Sequence, residues 1–203
     1  CGKTTQINEL SKWLPKSGLI KNGSQLITTR EPGGSLLGQK IRNLILDTDQ
    51  NNKPTSLSEL LLYSADRAEH VSKIISPALN KEDWVLSDRF SDSTKVYQGY
   101  VGGVSDANID LLHKFSLGEF YPDITFFLDL DASTGLERAN SRKSNEKRFE
   151  LKGLEFHEDI RKSYLKLASD EPVRIYIIDA SKSISKIHYE ITKVVEKFLT
   201  KNK

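Results

Sequence analysis

Apolar residues recur along the chain in short blocks, and the period changes from block to block. Ile7, Leu10 and Leu14 fall at helical spacing across residues 6–14, the stripe of a helix with one face inward. "SQLITT" (24–29) is short and β-prone, and Arg30-Glu31-Pro32-Gly33-Gly34 stops it. Residues 35–46 read as a helix with Leu37, Ile41, Leu44 and Ile45 on one face. Residues 57–80 read as a longer helix, broken near Pro77. "DWVLSD" (83–88) predicts a second strand, 105–118 a helix, and "DITFFLDLD" (123–131) a third, nearly continuously apolar strand. Residues 132–143 and 155–169 read as helices, "RIYIIDA" (174–180) as a fourth strand, and 183–199 as a closing helix.

Strand–helix alternation predicts an α/β fold, with a parallel sheet covered by helices on both faces. Ligands in such folds bind beyond the carboxyl ends of the strands. Those ends carry Thr29-Arg30-Glu31, Asp88-Arg89, Asp129 with Asp131, and Asp179. Neither an internal repeat nor a low-complexity tract interrupts the pattern, so residues 1–203 are expected to form a single domain.

Composition narrows the function. The 203 residues carry 30 basic and 28 acidic side chains, a net charge of +2, too balanced for a bulk nucleic-acid binder. There is no apolar run of the roughly 18–20 residues that a membrane span needs. A single cysteine excludes an internal disulfide and points to a reducing, cytoplasmic setting.

The chain opens with "CGKTTQ". In a G-x-x-x-x-G-K-[ST] loop, backbone amides and a helix N-terminus cradle phosphates, the lysine reaches the β- and γ-phosphates, and the hydroxyl ligates Mg²⁺. Gly2, Lys3 and Thr4 fit the end of such a loop. A bare G-K-T string fits a frayed terminus equally well. The helical pattern that follows favours the loop, as does "WVLSD", an apolar strand ending in an acidic residue, Asp88, suited to a second metal position. Asp88 also fits a turn or cap. Cys1 at a helix N-terminus could carry a thiolate, but no histidine lies near it in sequence, and a small filler residue is the simpler reading. The half-motif and the absence of methionine raise the expectation that residues precede Cys1: an apolar strand, then a glycine, an acidic residue and a glycine.

"CGKTTQ", "TREPGG", "LLLYSADRAEHV", "SDRFSDSTKVYQGY", "YPDITFFLDLD" and "RKSNEKRFE" follow one another in the order and spacing of thymidylate kinases, which the chain resembles from residue 1 to about residue 180. The resemblance implies a phosphate-loop kinase fold with five parallel strands, of which the first, central one has no candidate here. It implies transfer of the γ-phosphoryl of ATP to dTMP with Mg²⁺, and a homodimer. On the donor side it implies Cys1, Gly2, Lys3, Thr4 and Thr5 at ATP, with Thr4 and Asp88 at the metal. On the acceptor side it places Arg30 and Glu31 beside acceptor and metal, Arg42 near the acceptor phosphate, and Tyr63 stacked on thymine. Arg67, one helical turn later, would hydrogen-bond the base, and Arg89 would clamp the dTMP phosphate, where a fork of donors suits the anion. Ser93, Thr94 and Gln98 would line the base, and Tyr97 would crowd the sugar 2′ position. Without the upstream "DR", the last four would fit a plain polar helix face, and Arg42 alone an exposed helix arginine.

The basic run at 138–150 includes Arg138, Arg142, Lys143, Lys147 and Arg148. Such runs are commonly solvated loops. The resemblance makes this one a lid over ATP, with Arg142 on adenine and Arg148 reaching the transferring phosphates. Lys147 stands where the family string "DR-x-E" has its Asp. Lys3, Arg89, Arg142 and Arg148 are thus the expected charge-stabilising, catalytic set. Other readings are a kinase for a different nucleoside or monophosphate, and a non-catalytic nucleotide-binding fragment.

Overall fold

The computed structural model describes residues 1–47, 49–140, 148–149 and 152–201. In chain order the elements are α1 (Lys3–Trp13), β1 (Leu26–Arg30), α2 (Leu36–Leu46), α3 (Ser56–His70), α4 (Ser76–Leu79), β2 (Trp84–Asp88), α5 (Ser91–Thr94), α6 (Asp106–Leu117), β3 (Thr125–Asp129), α7 (Ala132–Asn140), α8 (Leu154–Asp170), β4 (Ile175–Asp179) and α9 (Ile184–Lys201). The fold is α/β, and each expected strand forms. The break expected near Pro77 is a wide turn instead. Val71–Ile75 adopts π-helical bonding and passes the chain to α4, where Pro77 sits in the first turn and its missing N–H is tolerated. A second π-helical turn, Lys95–Tyr100, continues α5.

The strands pair in parallel as β1 with β2 and β3 with β4. Between the two pairs lies a cavity of about 660 Å³, lined by Val85 and Leu86 of β2, Phe126 and Leu128 of β3, and Leu10 and Leu14 in and just after α1. This is where the family resemblance implies a central strand.

Strand side chains alternate between faces, and the core follows. Phe126 and Ile178 pack on one side with Leu10, Leu14, Ile187, Ile191 and Val195 of the α1–α9 face. Phe127 and Ile175 pack on the other with Val96, Ile160 and Leu167. Burial on both faces explains why "TFFLD" and "IYIID" read as nearly unbroken apolar runs. A smaller cluster of Val71, Ile75 and Phe90, with Val85 against it, secures β2. The face expected for α2 divides: Ile41 and Ile45 are buried, whereas Leu37 and Leu44 at the stripe's other edge are exposed.

Register aligns the strand ends. Arg30 lies opposite Asp88, and Asp129 opposite Asp179. Glu31 N donates to Asp88 O at 2.9 Å and Ala180 N to Asp129 O at 2.7 Å, extending both ladders by one bond.

Candidate active site

At the start of the chain, Gly2 has φ 85° and caps α1, whose first full-turn bond runs from Gln6 N to Gly2 O at 3.1 Å. That left-handed conformation suits a residue without Cβ. Cys1 and Lys3 line the cavity together with Asp88, Arg89, Ser93 and Tyr97, so the positive end of α1 lies at the strand ends, where it suits phosphate. Lys3 Nζ lies 3.9 Å from Cys1 Sγ. Thr4 is exposed and Thr5 half-buried.

Across the cavity, Arg89 has φ 71°, left-handed backbone at a residue with a side chain. Its Nη2 donates to Tyr97 Oη at 3.2 Å, and Nη1 faces Ser93 Oγ and Tyr164 Oη, each at 3.4 Å. The guanidinium lies 4.9 Å from the Tyr97 ring centroid. Tyr164, on α8, is bonded to Ser93 Oγ at 2.8 Å and stacks on Phe127. Among the described residues, hydroxyls rather than a carboxylate hold Arg89, so its charge is available to an anionic ligand. The Tyr97 hydroxyl is the main influence raising the Arg89 pKa. Burial pushes the Tyr97 hydroxyl up, but the charges of Arg89 and Lys3 outweigh it and the net direction is down.

Behind this clamp is a buried polar network. Arg67 Nε donates to Glu31 Oε1 at 2.7 Å and Nη2 to Thr94 Oγ1 at 2.6 Å, while its guanidinium lies over Phe90. Glu31 is thus paired with Arg67 and holds its guanidinium in place. His70 is fully buried, with Nε2 2.7 Å from Thr29 Oγ1 and Nδ1 3.6 Å from Glu31 Oε2. Asp66 accepts Gly33 N–H at 3.0 Å, and burial raises its pKa. Arg42 donates to Pro32 O at 2.9 Å, bracing the same turn, and Arg30 is exposed at the end of β1.

Farther along α3 is Tyr63, whose hydroxyl is pushed up by burial first and by Glu59 second. Arg89, Arg148 and Tyr97 also act on it. Gln98 Nε2 donates to Glu59 Oε1 at 2.7 Å. Arg148 donates to Glu59 Oε2 and to Ile45 O. Phe149 packs edge-on against Tyr97 at 5.3 Å. The structure thus brings Arg148 against Glu59 on α3. Arg142, Lys143 and Lys147 lie outside the described residues.

Four residues escaped the reading of the sequence: Glu59, Asp66, His70 and Tyr164. The first three had a signal, because Glu59, Tyr63, Asp66, Arg67 and His70 recur at helical spacing along α3. Tyr164 had none, since its partners are far away in the chain.

The metal position also fits. Asp88 Oδ1 is buried without a hydrogen-bond partner among the described residues, and Thr4 is exposed. No three His, Cys, Asp or Glu side chains come together as a cage among the described residues. A Mg²⁺ bound chiefly through substrate phosphates and waters needs only one or two protein groups.

Comparison with known proteins agrees with this geometry. The thymidylate kinase family model matches residues 1–191. A thymidylate kinase of Prochlorococcus marinus strain MIT 9312 is 56% identical over 197 residues, covering 94% of this chain and 88% of the relative. One from strain AS9601 is 53% identical over 205 residues, covering 100% and 94%. The crystal structure of thymidylate kinase from Ehrlichia chaffeensis superposes with a TM-score of 0.75 at 35% identity, covering 96% of this chain and 92% of that one. With the strand-end charges, the G-K-T helix start and these relatives in agreement, the chain belongs to the thymidylate kinase family.

Proposed function

We propose that this thymidylate kinase transfers the γ-phosphoryl of ATP to the phosphate of dTMP at the cavity that Lys3 and Arg89 both line. The observation that carries the reading is that Lys3 and Arg89 line one cavity together with Asp88 and Tyr97. A lysine at a helix start and an arginine at a strand end then face a common space, one suited to donor phosphate and the other to acceptor phosphate. The acceptor oxygen is already an anion, so no strong general base is needed. Positioning and charge stabilisation carry the rate.

In this reading Gly2, Thr5 and the first amides of α1 receive the ATP phosphates, with Cys1 filling space beside Lys3. Thr4 and Asp88 would hold Mg²⁺, which neutralises phosphate charge when bound. Tyr63 stacks on thymine, Arg67, Thr94 and Gln98 meet its edge, and Tyr97 crowds the sugar. Ser93 and Tyr164 aim Arg89. Residues 1–203 act as one kinase domain, with 138–150 as lid. Arg148 and Phe149 against Glu59 and Tyr97 support that role. A closed lid excludes water, the competing acceptor. No helix of the described residues is long and apolar enough to cross a membrane, and a cytoplasmic homodimer completes the proposal.

A coupled assay for ADP tests it. Wild-type protein with ATP and Mg²⁺ should turn over dTMP in preference to other monophosphates. Arg89→Lys should lower kcat/KM for dTMP by roughly 100-fold or more, because a point charge replaces a two-pronged donor. Near-normal turnover by that variant would refute the assignment.

A further inference from the structure

We propose that Glu59 sets the base specificity of the acceptor pocket by fixing which end of the Gln98 carboxamide is left to meet the base. The inference rests on the dTMP reading and adds a positioning residue to it. A carboxylate offers acceptors only, whereas an amide offers a donor at one end and an acceptor at the other. Glu59 Oε1 takes the Gln98 amino group at 2.7 Å. Its other oxygen is held by Arg148, which also donates to Ile45 O. Glu59 is 9% and Gln98 3% exposed. Turning the amide over would set two oxygens against each other away from water, an unfavourable arrangement. The amide is therefore held with its nitrogen toward Glu59, and its oxygen at the other end remains as an acceptor.

Arg67 supplies the opposite sense. Its Nε is spent on Glu31 and its Nη2 on Thr94, which leaves Nη1 as a donor. Thymine presents an N3–H donor beside the O4 acceptor. Cytosine presents the reverse, an N3 acceptor beside an amino donor. An acceptor from Gln98 and a donor from Arg67, both of which the dTMP reading sets at the base edge, match the first edge and oppose the second. Glu59 lies one turn before Tyr63 on α3, so a single helix carries the stacking ring, the donor and the group that orients the acceptor.

Glu59→Gln inverts the logic. Its one side-chain oxygen would go to the Arg148 cation, leaving its amino group facing Gln98. Gln98 would then turn over and present its own amino group to the base. The test is calorimetric titration of dTMP and 5-methyl-dCMP, which differ only at N3 and C4, into wild type, Glu59→Gln and Glu59→Asp. Wild type should favour dTMP. Glu59→Gln should shift the ratio of the two dissociation constants toward 5-methyl-dCMP by roughly tenfold or more, while Glu59→Asp, still acceptor-only, should keep it. Proportionate weakening of both ligands in Glu59→Gln would overturn the inference, as would an equal shift in Glu59→Asp. Should Glu59→Gln not fold, Glu59→Ala replaces it. The ratio should then fall toward one, and an unchanged ratio overturns the idea. Binding needs no phosphoryl transfer, so a wild type that selects dTMP without phosphorylating it counts against the kinase reading alone. A wild type that binds neither ligand refutes both.

Discussion

A methyl group added at Gly34 would lie 2.4 Å from His70 Cδ2 and Nε2 and 2.8 Å from Thr29 Oγ1. The turn after β1 thus presses its backbone onto the fully buried imidazole, which bonds Thr29 and faces Glu31. Gly34→Ala should destabilise the fold by about 1–3 kcal/mol, the usual range for overpacking a tight interior. A urea melt would show it as a lower midpoint, and an unchanged midpoint would mean the ring moves aside freely. The same residue marks how far the sequence could be read. "REPGG" announced a tight, charged turn at a strand end. It could not announce that the second glycine makes room for a histidine on α3, because that contact joins distant parts of the chain. Tyr164 was hidden for the same reason, whereas Arg67 and Arg89 stood in strings specific enough to be picked out one by one.

Among the elements, α2 shows both what periodicity gives and what it withholds. Its stripe was visible, and Ile41 and Ile45 are in the core. The spacing fixes the centre of a stripe but not what covers its edges, so Leu37 and Leu44 could not be placed. The π-helical turns were equally invisible, since one extra residue in a turn barely changes an apolar pattern. The start of α2 can be tested directly. Ser35 is buried and its Oγ accepts Gly38 N–H at 2.9 Å, satisfying an amide that has no partner within the helix. Ser35→Ala should cost about 1 kcal/mol, read as a shifted denaturation midpoint. No shift would mean that another group takes over the amide. Strands were the most legible elements, because each apolar run ended abruptly in charge.

At the scale of the whole molecule, α2 packs on α3 and α3 on α6, and this side carries large exposed apolar residues. Leu44 is 60%, Leu57 57%, Leu111 66% and Phe115 88% exposed. Large apolar residues exposed on successively packed helices suit an interface, and a second copy of the chain is the occupant the homodimer proposal requires. Light scattering should give twice the 23.0 kDa chain mass, and Leu44→Glu should shift it toward the single-chain value. A wild type that stays at the single-chain mass across concentration would refute the dimer. The left-handed backbone at Arg89 sets durability against turnover. Such a conformation at a residue with a side chain costs about 1–3 kcal/mol. Relaxing that position would make a sturdier protein and a poorer kinase, so a search for heat-resistant variants that ignored activity would discard Arg89 early.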